Sequence, residues 1–83
     1  MPLRLWYMAD TQEKALMRAF GKRVAELRKK RGMTQEQLAA KIDTHVTTIA
    51  FIEGGTKFVR LTTLRKLAQA LDVEIKQLFE GVK

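Results

Sequence analysis

Cysteine is absent from all 83 residues. That excludes disulfides and thiolate metal sites as supports for the fold. A single histidine, with no thiol beside it, falls short of a structural zinc site. No apolar run approaches the roughly 20 residues needed to span a membrane. The first residues lack the basic, apolar and small-residue layout of a leader, so a cytoplasmic location is the expectation. The sequence also holds no carboxylate cluster, no nucleophile–base pair and no phosphate-cradling glycine loop. An enzyme is not expected, and neither a cofactor nor a metal is implied. Eighty-three residues form one small core, which is marginal alone and gains from self-association.

Acidic residues are the scarcer charge, 9 against 16 basic, for a net charge of +7. Their placement says more than the sum. Residues 1–33 carry net +6, residues 34–53 net −2, residues 54–71 four basic groups and no acid, and the last twelve net −1. Positive charge therefore brackets the middle of the chain and avoids it. Such a bracket is the electrostatic footprint of a nucleic-acid binder, against the plainer reading of a solubilised surface.

The middle, Thr34–Gly55, reads TQEQLAAKIDTHVTTIAFIEGG. Thr34 with Gln37 has the spacing of a capping box, so a helix is expected to start there. Leu38 and Ile42 share one face of it, and Ala39 is small enough for a second helix to approach. Asp43–His45 breaks the pattern, and Asp tolerates a left-handed turn. Val46, Ile49 and Ile52 form the stripe of a second helix, which Gly54–Gly55 ends. The turn between them contains no proline. The product is a helix-turn-helix hairpin. Its second helix, His45–Ile52, contains no Lys, Arg, Asp or Glu.

These residues resemble the phage-repressor/Cro-type (XRE-like) helix-turn-helix DNA-binding family. The likeness continues through VAELRKKRGMTQEQLA upstream and LTTLRKLAQALDVEIKQLF downstream, covering roughly residues 20–79. It implies an all-α, compact five-helix repressor-like domain with the hairpin as helices 2 and 3. It further implies a sequence-specific regulator of transcription that binds double-stranded DNA, a repressor acting as a homodimer on an inverted repeat. In this family the second hairpin helix lies in the major groove. Carried over by position, His45, Val46, Thr47, Ala50 and Phe51 occupy the reading side. Gln35 matches a position that bonds the DNA backbone and braces the reading helix, and Lys57 and Arg60 are placed for phosphate. Lys22, Arg23, Arg65 and Lys66 are further phosphate candidates. His45 stands where a capping Ser or Thr is usual, Thr44 where a small apolar residue is, and Asp43 where Gly is. For Phe51 the alternative is a ring folded onto apolar neighbours or set against a protein partner.

An apolar arm, residues 1–10, is expected to precede a domain of residues 11–80. Asp10 or Thr11 is positioned to cap the first helix, which then runs to about Arg31. Gly21 marks either a bend in it or the start of an upstream extension. TKFVR reads as a loop, Leu61–Leu71 as a helix, and Ile75–Phe79 as a short last one. The expected core is Phe20, Val24, Leu27, Leu38, Ile42, Ile49, Ile52, Leu64, Leu67, Leu71 and Leu78. The resemblance places a dimer surface at Val73, Ile75, Leu78 and Phe79. The arm, with Leu5, Trp6 and Tyr7, is either a short strand that joins the dimer or a frayed end. Its apolar residues also support an alternative, an antitoxin or adaptor that binds a protein partner through the arm.

Overall fold

The computed structural model describes the backbone of residues 3–57 and 59–82, and the side chains of residues 12–57 and 59–82. It contains α1 (Leu3–Lys30), α2 (Gln35–Lys41), α3 (Val46–Glu53), α4 (Leu61–Leu71) and a 3-10 helix (Ile75–Phe79). No strand occurs among the described residues. The fold is all-α, as expected, but among the described residues it has four α-helices where five helices were anticipated. The last element is five residues long, too short to settle into the wider α turn, and it closes with i→i+3 bonds such as Gln77 N to Glu74 O at 2.9 Å.

The hairpin forms for the reasons its sequence suggests. Thr34 and Gln37 exchange both capping-box bonds, Gln37 N to Thr34 Oγ1 at 3.0 Å and Thr34 N to Gln37 Oε1 at 2.9 Å. Asp43 takes the left-handed conformation at φ 54°. The helix end is divided between the two glycines. Gly54 stays right-handed at φ −79°, and Gly55 turns left-handed at φ 75°.

The core is shared by α1, the hairpin, α4 and the 3-10 helix, with α3 packed most closely on α2 and α1. Val24, Leu38, Ile49, Leu67, Leu71 and Leu78 are completely buried, with Phe20, Leu27, Ile42 and Ile52 nearly so. Ala39 and Ala68 are buried with them. Each buried aliphatic side chain contributes about 1.5–3 kcal/mol, against a net stability of about 5–15 kcal/mol for a typical domain. Leu64 lies at the edge of this cluster, only partly buried. Leu61 is 76% exposed, because the first turn of α4 overhangs the end of the core.

Two arginines hold the C-terminal half against α1. Arg31 donates Nε to Leu71 O at 2.9 Å and Nη2 to Asp72 O at 3.1 Å, satisfying carbonyls at the end of α4. Arg23 donates Nε to Gln77 O at 2.9 Å and Nη2 to Glu80 Oε2 at 3.1 Å, anchoring the 3-10 helix.

α1 departs most from expectation. It starts at Leu3, so the arm is not a strand and neither Asp10 nor Thr11 caps the helix. At about 1.5 Å per residue, its 28 residues account for nearly all of the molecule's 45 Å length. Gly21 is not a bend. The helix runs through it unbroken, and a Cβ there would strike the backbone carbonyl oxygens of Ile52 and Glu53. It is the point where α3 crosses α1 backbone to backbone. Among the described residues, no helix is long and apolar enough to cross a membrane.

Candidate nucleic-acid interface

α3 separates its residues into two faces. Ile49 and Ile52 point into the core. His45, Val46, Thr47, Ala50 and Phe51 are all exposed, Phe51 by 55%, so the five positions form one outward surface. Phe51 does not fold back into the core. His45 precedes the helix in an extended conformation, φ −84° and ψ 148°, and its imidazole makes no capping bond. The ring is left on the surface at the head of α3.

The exposed face is apolar and hydroxylic, without formal charge. The one charged residue of α3, Glu53, turns inward at its last position. Arg28 donates Nε to Glu53 Oε2 at 2.7 Å and Nη2 to Glu53 Oε1 at 3.0 Å, a two-pronged pair with side chains only 11% and 7% exposed. Arg28 also donates Nη1 to Met33 O at 2.8 Å. Gln35 Nε2 donates to Glu53 Oε1 at 3.0 Å. The network thus joins the end of α1, the first residue of α2 and the end of α3. The hydrogen bond to Glu53 raises the Arg28 pKa above its ordinary value, with the charge of Glu53 adding to it and burial opposing. Every buried side-chain polar atom among the described residues has a partner.

This pair escaped the sequence reading because Arg28 is hidden in the run Arg28–Arg31, which reads as a solvated helix end. The available signal was its register: Arg28 follows Val24 by four residues, and Glu53 follows Ile49 by four, so both charges fall on buried stripes.

Exposed basic groups follow the face along the chain. Lys57 and Arg60 are exposed on the segment between α3 and α4, with Arg60 preceding α4 in an extended conformation. Lys22, Arg65 and Lys66 are exposed too. Arg23 is not available in the same way, since its guanidinium is engaged by Gln77, Glu80 and Glu26.

The residues expected at a dimer surface separate. Ile75 and Phe79 are about two-fifths exposed, and Val73 is half-buried. Leu78 is wholly buried and belongs to the core, so it is not offered to a partner. Phe79 also packs on Phe20, ring centroids 5.2 Å apart. The backbone of Leu5, Trp6 and Tyr7 is helical, and their side chains lie outside the described residues. No group of three His, Cys, Asp or Glu that could hold a metal occurs among the described residues.

Residues 24–78 match the helix-turn-helix family. Control protein C.BamHI of Bacillus amyloliquefaciens is 42% identical over 62 residues, 74% of this chain and 76% of the relative. Control protein C.MunI of a Mycoplasma species is 35% identical over 65 residues, 77% of this chain and 88% of the relative. The restriction-modification controller protein C.AhdI from Aeromonas hydrophila superposes with a TM-score of 0.74 at 38% identity, covering 76% of this chain and 96% of that one.

Proposed function

This chain belongs to the helix-turn-helix family, and from that premise we propose that it is a sequence-specific, double-stranded DNA-binding regulator of transcription. The observation that carries the reading is the uncharged outward face of α3, with exposed Lys57 and Arg60 following it, backed by the buried Arg28–Glu53–Gln35 network. α3 enters the major groove. Val46, the Thr47 methyl, Ala50 and Phe51 meet thymine methyl groups, and the Thr47 hydroxyl bonds a base edge. His45 contacts a base or phosphate at the head of the helix. Gln35, Lys57 and Arg60 hold the sugar–phosphate backbone and set the register. No side chain of α3 makes the two-pronged arginine contact to guanine, so the site is rich in A·T at the touched positions, with duplex shape adding selectivity.

One such helix covers too few base pairs for a unique site. The regulator acts as a homodimer on an inverted repeat, a repressor with half-site centres about one helical turn apart. Leu61 and Ile75, with Thr62 and Arg65, line a shallow apolar cleft that the second copy covers. The controller proteins among its relatives point to restriction-modification genes as the regulated set.

The test is selection of bound sequences from random duplexes by the purified chain at two salt concentrations. An A·T-rich inverted repeat is expected, with affinity falling by about 10³–10⁵ between 50 and 200 mM salt for some six to ten phosphate contacts. A G-rich motif would refute the assignment of α3 contacts. Indifference to every duplex, or an affinity flat in salt, would refute the DNA reading itself.

A further inference from the structure

Upstream of the segment that matches the family, α1 carries Lys14, Arg18 and Lys22. They recur every four residues, so they share one side of the helix, and all three are exposed. Phe20 lies on the opposite side and leans toward Val59, Leu64 and Phe79, with Met17 between the two sides. The basic side borders the chain leaving α3 instead. Lys14, Met17 and Arg18 line a cleft of about 540 Å³ with Gly54, Gly55 and Thr56, and Glu13 is the one acid at its rim. Contact across it is close: a Cβ on Gly55 would lie 2.6 Å from Arg18 Cα. Arg18 is therefore fixed beside the exit of α3, and Lys57 follows two residues after Gly55. Among the described residues, no acid pairs with Arg18, Lys22 or Lys57.

We propose that this side of α1 lies along the sugar–phosphate backbone at the outer edge of each half-site. The bound DNA then extends beyond the segment that α3 reads. The inference rests on the DNA-binding reading above. Lys14 to Lys22 spans about 12 Å of helix, the axial length of roughly three to four phosphates on one strand. Arg18 and Lys22, two cations of the strip with no acidic partner among the described residues, lie within that span. The strip borders the Gly54–Thr56 segment at the exit of α3, so one backbone can pass from that exit onto Arg18 and Lys22. The contact is blind to sequence and adds affinity without changing which bases are preferred.

The experiment uses the full chain with Arg18→Gln and Lys22→Gln together. Its dissociation constant for the selected operator is followed across a salt series, with hydroxyl-radical footprints of the complex. Losing two phosphate contacts per protomer should lower the magnitude of the log–log salt slope by about 3.6 per dimer. Protection should vanish from the outer end of each half-site, while base preference and melting temperature hold. Lys76→Gln, a surface cation near Glu74, should leave the slope alone. The proposal is overturned if the double variant keeps the wild-type slope and footprint. It is also overturned if Lys76→Gln lowers the slope equally, or if the double variant only melts earlier. If the wild-type chain binds no duplex, the DNA reading fails first and this inference falls with it.

Discussion

The guanidinium of Arg28 grips both carboxylate oxygens of Glu53, at 2.7 and 3.0 Å, across 25 residues of chain. It fastens the last residue of α3 to α1 at a place where both side chains are nearly out of water. Taking either partner away leaves the other as an unpaired buried charge. Arg28→Met should cost about 3–5 kcal/mol of stability, read by chemical denaturation. The double change Arg28→Met with Glu53→Leu should recover much of that loss. A single variant as stable as the parent would remove the pair from the account. Because the Arg28 pKa is raised, its contribution is complete below the ordinary arginine value and disappears only as pH climbs through the raised one. Melting near neutral pH should show no step from Arg28.

Gly21→Ala should destabilise the chain. Alanine gains about 1 kcal/mol in helix propensity over glycine. Its Cβ, however, meets backbone carbonyls of Ile52 and Glu53 that cannot swing aside, and such overpacking costs about 1–3 kcal/mol. Thermal melting of the variant decides between the two effects. An increase in melting temperature would mean that the crossing is looser than it looks.

Leu38→Asp and Ile49→Asp should each abolish the cooperative melt, since both sites are fully buried on the faces where α2 and α3 meet the core. A buried, unpaired carboxylate costs several kcal/mol, a large part of what holds so small a domain together.

Phe51→Ala should leave stability unchanged, the ring being 55% exposed. Operator affinity should fall by about 1–3 kcal/mol, the usual cost of one misread base pair. Selection with the variant should relax the thymine preference at one position per half-site. An unaltered motif would assign the ring to a protein contact instead.

Leu61→Asp with Ile75→Asp should convert a dimer to a monomer in light scattering while helical content is kept, because both side chains are exposed on one chain. Operator binding should then require far higher protein concentrations. A dimer that persists would move the twofold interface elsewhere, with α1 as the next surface to examine.

Periodicity made the hairpin legible. Leu38, Ile42, Ile49 and Ile52 are buried as their spacing implies, and the Thr34–Gln37 box forms. What stayed hidden depended on contacts between distant residues. A lone glycine such as Gly21 looks the same whether it bends a helix or admits another one. Asp10 and Glu13 imitate a capping box, yet the helix passes through them from Leu3. Leu61 continues an apolar repeat, but one turn of α4 reaches past the core. Leu78 is apolar and near the end of the chain, which suits a partner surface or a core equally, and only packing decides. Of the proposed contact surface, the outward set on α3 came from the family resemblance, carried over by position. The inward turn of Glu53 did not, since nothing local distinguishes a buried carboxylate from a solvated one.

The absence of charge from the outward side of α3 separates two properties that many binders merge. In the proposed complex, grip would come from lysines and arginines on other elements, and discrimination from a methyl, a hydroxyl and a ring. Substituting Val46, Thr47 or Ala50 should therefore redirect the chain to new target sites with its general adhesion to duplexes intact, which makes α3 an exchangeable cassette for engineering.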